Sequence, residues 1–218
     1  MDKIAILFGP TGGNTEKAAH LVAKAFGENL VDLIPVKDAL ESDLEPYSGI
    51  IFGGPTVGTH TWSDTHQKDD WDLFLTRLYR MNLQGKKCAV FGLGDQVSYS
   101  FMFVDDIGII ADHIVQAGGK LVGFVDPEGY TFDESRAFRN GEFLGLPLDE
   151  DNEPELTRER INRWVKLLNN CWFFDNTFCP EALIFKTLSF LSSISPNKVC
   201  IGYFYCCSTF CKSLRMQK

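Results

Sequence analysis

Apolar residues fall in short blocks separated by segments of helix length. Ile4 to Phe8, Leu30 to Val36, Gly49 to Gly54, Lys87 to Gly92 and Lys120 to Val125 are rich in β-branched, aromatic and small apolar residues, and predict five strands. Between them, Thr15 to Phe26, Trp71 to Met81 and Asp105 to Ala117 repeat apolar residues at i, i+3 and i+4, the period of a helix with one buried face. A further helix is expected over Leu156 to Asn169, where acidic residues lead and Arg160, Arg163 and Lys166 follow, as the helix dipole favours. Strands apolar on both faces, alternating with helices, imply a parallel sheet covered on both sides. The predicted fold class is α/β: a doubly wound, five-stranded parallel sheet with helices on both faces.

Sheets of this kind bind ligands outside the carboxyl ends of their strands, where the strand order reverses. Three loops are then candidates: Pro10 to Thr15, Pro55 to Asp70 and Leu93 to Phe103. The first, in "FGPTGGNTEKAA", puts glycines and hydroxyls at the start of a helix. Unpaired backbone N–H groups there can curl around an anion; Thr11, Asn14 and Thr15 add side-chain donors, and Gly12 and Gly13 permit positive φ. The blander alternative is a helix capped by Thr15 after a plain Gly12-Gly13 turn. Asn14 stands where a triphosphate-binding loop needs Lys, and G-x-G-x-x-G is absent, so the loop suits a phosphomonoester held by neutral donors, such as that of FMN.

Charge narrows the partners. Residues 1–170 hold 16 Lys+Arg against 27 Asp+Glu, a balance of −11, while residues 171–218 hold 5 against 2, a balance of +3. An acidic domain repels a phosphate backbone and attracts basic protein surfaces, so nucleic acid is not an expected partner and a basic protein is. Cys88 is the one cysteine before residue 171, expected in the core and fitting a reducing, cytoplasmic setting; the opening apolar run is far short of a signal or membrane span. His60 and His66 near Asp64, Asp69 and Asp70 match no metal-ligand spacing and read as a solvated loop. The acidic run Asp149 to Glu155, Asp151 excepted, reads as a helix-start face.

Four segments together resemble the flavodoxins, specifically the long-chain type: "FGPTGGNTEKAA", "GGPTVG", "FGLGDQVSY" and, longest, "GGKLVGFVDPEGYTFDESRAFRNGEFLGLPLDEDN" at residues 118–152. The last is similar to the insertion that splits the final strand in long-chain members, and the resemblance covers residues 2 to about 169. It implies non-covalent FMN and low-potential one-electron transfer between redox proteins, not enzymatic catalysis. By position, Thr11, Gly12, Gly13, Asn14 and Thr15 fall on the phosphate loop. Thr56, Val57, Gly58 and Thr59 fall on the loop whose peptide turns when the flavin takes its first electron. Leu93, Gly94 and Asp95 fall on the loop bonding the pyrimidine edge, Tyr99 on the stacking tyrosine, and Asp151 near the ribityl chain. Gly58 is expected to allow the peptide turn, and the domain's negative charge to oppose a second electron.

Two departures stand out. Pro10 and Gly12 occupy positions where the family usually has hydroxyls, costing about 1 to 3 kcal/mol of binding if nothing replaces them. Val57 replaces a common Trp, leaving one flavin face open or covered by Trp62 or His60. The implied partners are reductase or oxidoreductase donors and low-potential acceptors with basic docking surfaces; a monomer is expected, and no membrane association. A flavodoxin-like NAD(P)H-dependent FMN reductase acting on quinones or similar acceptors is the alternative, and a nucleotide-sensing regulator a third. Residues 171–218, with 26 apolar residues, six Cys and seven Phe, do not continue the resemblance. They form a second unit of unknown nature: an out-of-frame translation, an appendage for membranes or partners, or a small module.

Overall fold

In the computed structural model, β1 (Ile4–Phe8), β2 (Val31–Pro35), β3 (Gly49–Gly54) and β4 (Lys87–Leu93) lie parallel, with β5 (Lys120–Leu121) and β8 (Leu146–Leu148) both pairing with β4. The structure describes residues 3–55 and 70–173. The strand order is β2-β1-β3-β4-β5, as a doubly wound sheet requires. β1 and β3 are buried along their whole length, whereas β2 is an edge strand with four half-buried positions.

Alternation along each strand separates two cores. Ala5, Leu7, Ile50, Phe52, Cys88 and Val90 point to one face, packed by α3 (Asp70–Leu78) and α4 (Asp105–Gln116). Ile4, Ile6, Phe8, Ile51, Ala89 and Phe91 point to the other, packed by α1 (Asn14–Phe26) and α5 (Thr157–Phe173). Cys88 is fully buried, as expected, and burial pushes its thiol up to about 12, so it stays protonated and inert.

The fifth strand departs from its expected extent. Only Lys120 and Leu121 pair with the start of β4; Val122 still donates to the Cys88 carbonyl, and then Gly123, at φ +81°, turns the chain away. The sheet position beside the end of β4 is filled instead by β8, with Phe91 opposite Leu146 and Leu93 opposite Leu148. The strand is thus split around an inserted segment. That segment carries a short antiparallel hairpin, β6 (Phe138–Arg139) and β7 (Glu142–Phe143), closed by Asn140 and Gly141 at φ +57° and +89°. Two consecutive positive φ values are what a tight two-residue hairpin turn demands. Its aromatic residues Phe132, Phe138 and Phe143 cluster with Phe103, with ring centroids 5.0 to 6.1 Å apart in the contacts that join them.

α5 runs four residues past the end its apolar pattern predicts. Its end is held by tertiary contacts: Trp172 packs on Phe26 at 5.4 Å between ring centroids, over the bare backbone of Gly49, and Lys87 Nζ donates to the Cys171 carbonyl at 2.9 Å. A cation on the last carbonyls of a helix offsets the negative end of its dipole. A four-residue helix, α2 (Glu41–Leu44), also forms, too short to show a period in the sequence. No helix among the described residues is long and apolar enough to cross a membrane.

Candidate functional site

The registers place Phe8, Gly53, Phe91 and Leu146 at one level of the sheet, so the segments that follow β1, β4 and β8 emerge on the same edge. β1 is flanked by β2 and β3, and the chain crosses over in opposite directions from it; the edge beside β1 and β3 is the switch point. The loops that follow β1 and β4 converge there by topology. Thr56, Val57, Gly58 and Thr59 lie outside the described residues, as do His60, Trp62 and His66.

The first loop is shaped by backbone. Gly9 donates to the Gly53 carbonyl at 3.3 Å, and its own carbonyl accepts the indole N–H of buried Trp71 at 3.0 Å. A Cβ at Gly9 would lie 2.6 Å from Val36 and 3.3 Å from the Trp71 indole, so only glycine lets the chain pass. Gly12 then takes φ +84°, which a threonine would adopt only under strain. This gives the missing hydroxyl at Gly12 a conformational reason. The helix begins with Gly13 as N-cap and no side-chain bond to its first-turn N–H groups, which excludes the reading in which Thr15 caps it; Thr15 is instead buried in the first turn. A Cβ at Gly12 or Gly13 would meet nothing within 4 Å, so the loop backbone is open there.

Two charged groups border this loop. Lys17 Nζ lies 3.1 Å from Asn14 Oδ1, so a cation stands beside donors that sequence reasoning took to be neutral alone. Glu16 Oε2 accepts the Gly12 N–H at 2.5 Å, placing a carboxylate on one of the donors an anion would use. Neither contact leaves a signal in the loop's glycine and hydroxyl pattern.

The other side of the site is built from carboxylates. Gly94 donates to the Leu148 carbonyl at 2.9 Å, joining the loop after β4 to β8, and Leu93 is buried beneath it. Asp95 Oδ1 accepts the backbone N–H groups of Val97 at 2.9 Å and Ser98 at 2.7 Å, together with the Asn152 amide at 2.9 Å. Burial raises the Asp95 carboxyl, but bonds from Ser98, Asn152 and Val97 more than offset this and hold it at about 2. Tyr99 follows, half-buried, its N–H on the Asp95 carbonyl.

Beneath both lies Asp149, fully buried, which accepts the N–H groups of Gln96 at 3.1 Å, Asp151 at 3.1 Å and Asn152 at 2.9 Å. The reading of Asp149 to Glu155 as a helix-start face is therefore corrected at three positions. Asp149 ties two loops, Glu150 bonds the Thr157 hydroxyl, and Glu153 receives both Gln96 Nε2 at 2.8 Å and Arg160 at 2.7 Å. Asp151 is exposed, with its backbone on Asp149. Gln96 completes the join by accepting the Thr131 N–H at 2.7 Å from the inserted segment. Sequence reasoning missed Asp149, Asn152 and Trp71, because an Asp beside other acids looks solvated and a Trp at a helix start looks like core.

Comparison with known proteins agrees with this architecture. Residues 6–164 match the flavodoxin family. The chain is similar to the flavodoxin of Synechocystis, 44% identical over 166 residues that make up 76% of this chain and 95% of that one. It is similar to the flavodoxin of Nostoc, 40% identical over 77% of this chain and 96% of the other. Among solved structures it resembles the crystal structure of Fusobacterium nucleatum flavodoxin bound to flavin mononucleotide, with a TM-score of 0.69 and 27% identity over 79% of this chain and 99% of that chain. With the family match, the strand order and the converging loops in agreement, the chain belongs to the flavodoxin family.

Proposed function

We propose that this protein is a low-potential one-electron carrier that binds FMN non-covalently and is not an enzyme in its own right. The observation that carries the reading is the glycine cradle at Gly12 and Gly13, open above uncapped N–H groups at the start of α1, on the switch-point edge of the sheet. Flavodoxins are among the sheets on which the switch-point rule rests, so that placement follows from family membership and is not independent of it. When bound, FMN supplies the redox chemistry; the chain supplies binding, orientation and electrostatics. Thr11, Gly12, Gly13, Asn14 and Thr15 hold the phosphate, with the backbone N–H groups leading. Leu93, Gly94 and Asp95 present the edge of a loop to the ring, Tyr99 stacks on its face, and Asp151 lies toward the ribityl chain. Thr56, Val57, Gly58 and Thr59 complete the second face.

The Asp95 and Asp149 networks keep the loop after β4 in one shape, so the ring's surroundings need not reorganise on reduction. The split fifth strand supports placement among the long-chain members, and the family match, ending at residue 164, supports a flavin domain of residues 1 to about 173 followed by a C-terminal extension. The acidic balance favours basic redox partners and a cytoplasmic monomer. Purified full-length protein titrated with FMN should acquire flavin absorption bands and quench flavin fluorescence, and riboflavin should bind far more weakly. NADPH alone should leave the flavin oxidised until a reductase is added. A chain that stays colourless after incubation with FMN overturns the reading, and rapid bleaching by NADPH alone favours the NAD(P)H-dependent reductase.

A further inference from the structure

The loop after β4 exposes more apolar surface than a solvated loop needs. Val97 is 69% and Phe101 68% exposed, with Met102 at 40%, flanking Tyr99 on both sides. Such a cluster beside a working loop marks a contact surface. Phe101 forms one wall of a groove of about 660 Å³ whose floor is Phe132 and Phe138 of the inserted segment. That floor is rigid: both rings pack on fully buried Phe143, and Phe132 packs also on Phe103, at 5.0 to 5.9 Å. Asp133 and Glu134 donate their backbone N–H groups to the Ser100 carbonyl, at 2.9 and 3.0 Å, pinning the rim to the loop that carries Tyr99.

The rim is negative. Asp105, Asp133 and Glu134 line it, against one cation, Arg136, which is turned toward Asp112 at 4.0 Å. Among the described residues neither Asp133 nor Glu134 has an ion-pair partner. An aromatic floor inside a carboxylate rim is complementary to an apolar side chain ringed by lysines or arginines, and not to another acidic surface.

We infer that this groove, joined to the Val97–Met102 edge, is where a basic redox protein docks, seating an apolar side chain between Phe101 and Phe132 while its cations face Asp133 and Glu134. The inference rests on the FMN reading, because Tyr99 two residues away brings the flavin within reach of the docked partner. It gives the inserted segment a role the sheet does not require: six of the eight residues lining the groove belong to it.

The test uses cytochrome c, a small basic haem protein, as the partner and the FMN-loaded full chain, fully reduced by dithionite under argon. Each reduced chain can pass one electron to each of two ferric haems, giving two ferrous haems, and stopped-flow absorbance follows the second-order rate. Asp133→Asn with Glu134→Gln should slow transfer about fivefold at low ionic strength, the loss vanishing in high salt. Glu28→Gln with Glu45→Gln removes the same charge from exposed sites before β2 and β3, on the opposite edge, and should change the rate less than twofold. Phe101→Ala, which leaves the buried rings untouched, should slow transfer about threefold at both salt levels.

Equal slowing by the two charge pairs would reduce the effect to overall charge and overturn the inference, as would unchanged rates in Phe101→Ala and Asp133→Asn/Glu134→Gln with flavin content intact. Calorimetric titration of cytochrome c into the same variants reads docking whatever their flavin content, so failure to bind FMN is told apart from failure to dock. A dimer in sedimentation that Phe101→Ala breaks would make a second copy the occupant and likewise overturn it.

Discussion

The two described sides of the site are held by different physics. The phosphate side is backbone: glycines at close approaches and positive φ, an uncapped helix start, and one indole bond to Gly9. The side carrying Tyr99 is a mesh of carboxylates in which Asp149 alone accepts three backbone N–H groups and the Asn152 amide. A backbone cradle is insensitive to most side-chain changes, because few side chains make it. A carboxylate mesh fails when one member goes, because each lost acceptor strands several donors away from water.

The largest effect should therefore come from the mesh. Asp149→Ala leaves the Gln96, Asp151 and Asn152 N–H groups without their acceptor at a fully buried position, and should cost about 3 kcal/mol of stability, read as a lower urea midpoint. Asp149→Asn, which keeps one acceptor oxygen, should lose less. An Asp149→Ala protein with an unchanged midpoint would show that water replaces the mesh, and the contrast between the two sides would disappear.

Next is the buried side-chain bond of the phosphate side. Trp71→Phe keeps most of the ring's packing but strands the Gly9 carbonyl, and should cost about 1 to 2 kcal/mol. Because the loop base rests on that bond, FMN affinity should fall while riboflavin affinity holds, as measured by fluorescence titration. Equal losses for both ligands would mean that Trp71 acts on the fold and not on the loop.

Glu16 sharpens the comparison from the opposite direction. Its carboxylate on the Gly12 N–H opposes a phosphate by charge, so Glu16→Gln should tighten FMN by about 1 kcal/mol, near fivefold, and leave riboflavin unchanged. Weaker FMN binding in that variant would mean that Glu16 supports the cradle instead of competing with the phosphate.

The same contrast explains what could be read from the chain. Strand and helix periods gave the sheet and its four longer helices, because β1, β3 and β4 are buried on both faces and leave near-continuous apolar runs. The phosphate loop was legible for a similar reason: glycines and hydroxyls before a helix are a local signature. The mesh was not, since Gln96 meets Asp149 across 53 positions of sequence and Asp95 meets Asn152 across 57, and none differs in type from a surface residue. The hairpin turn at Asn140-Gly141 is legible locally, as Asn-Gly between aromatic residues is a strong short-range signal. The end of α5 was not legible, because Lys87 and Phe26 hold it from elsewhere in the chain.

The smallest effect is a pH dependence within the mesh. The Asp95 carboxyl is held at about 2, below its ordinary 3.8, so the folded state favours the ionised form more than the unfolded chain does. Its contribution is fully present above about pH 4 and is lost as pH falls toward 2, because the unfolded chain takes up the proton first. Asp95 is partly open to solvent, so the contribution is less than about 1 kcal/mol after screening. Asp32 and Asp112 are also held low, by Tyr47 and Lys3 and by Arg139, so the whole protein's acid profile cannot isolate Asp95. The difference between the parent and Asp95→Asn can: their urea midpoints should converge as pH is lowered from 4 to 2. A gap that stays constant over that window would mean that the carboxylate's charge contributes nothing, and that Val97, Ser98 and Asn152 need only an oxygen in that place.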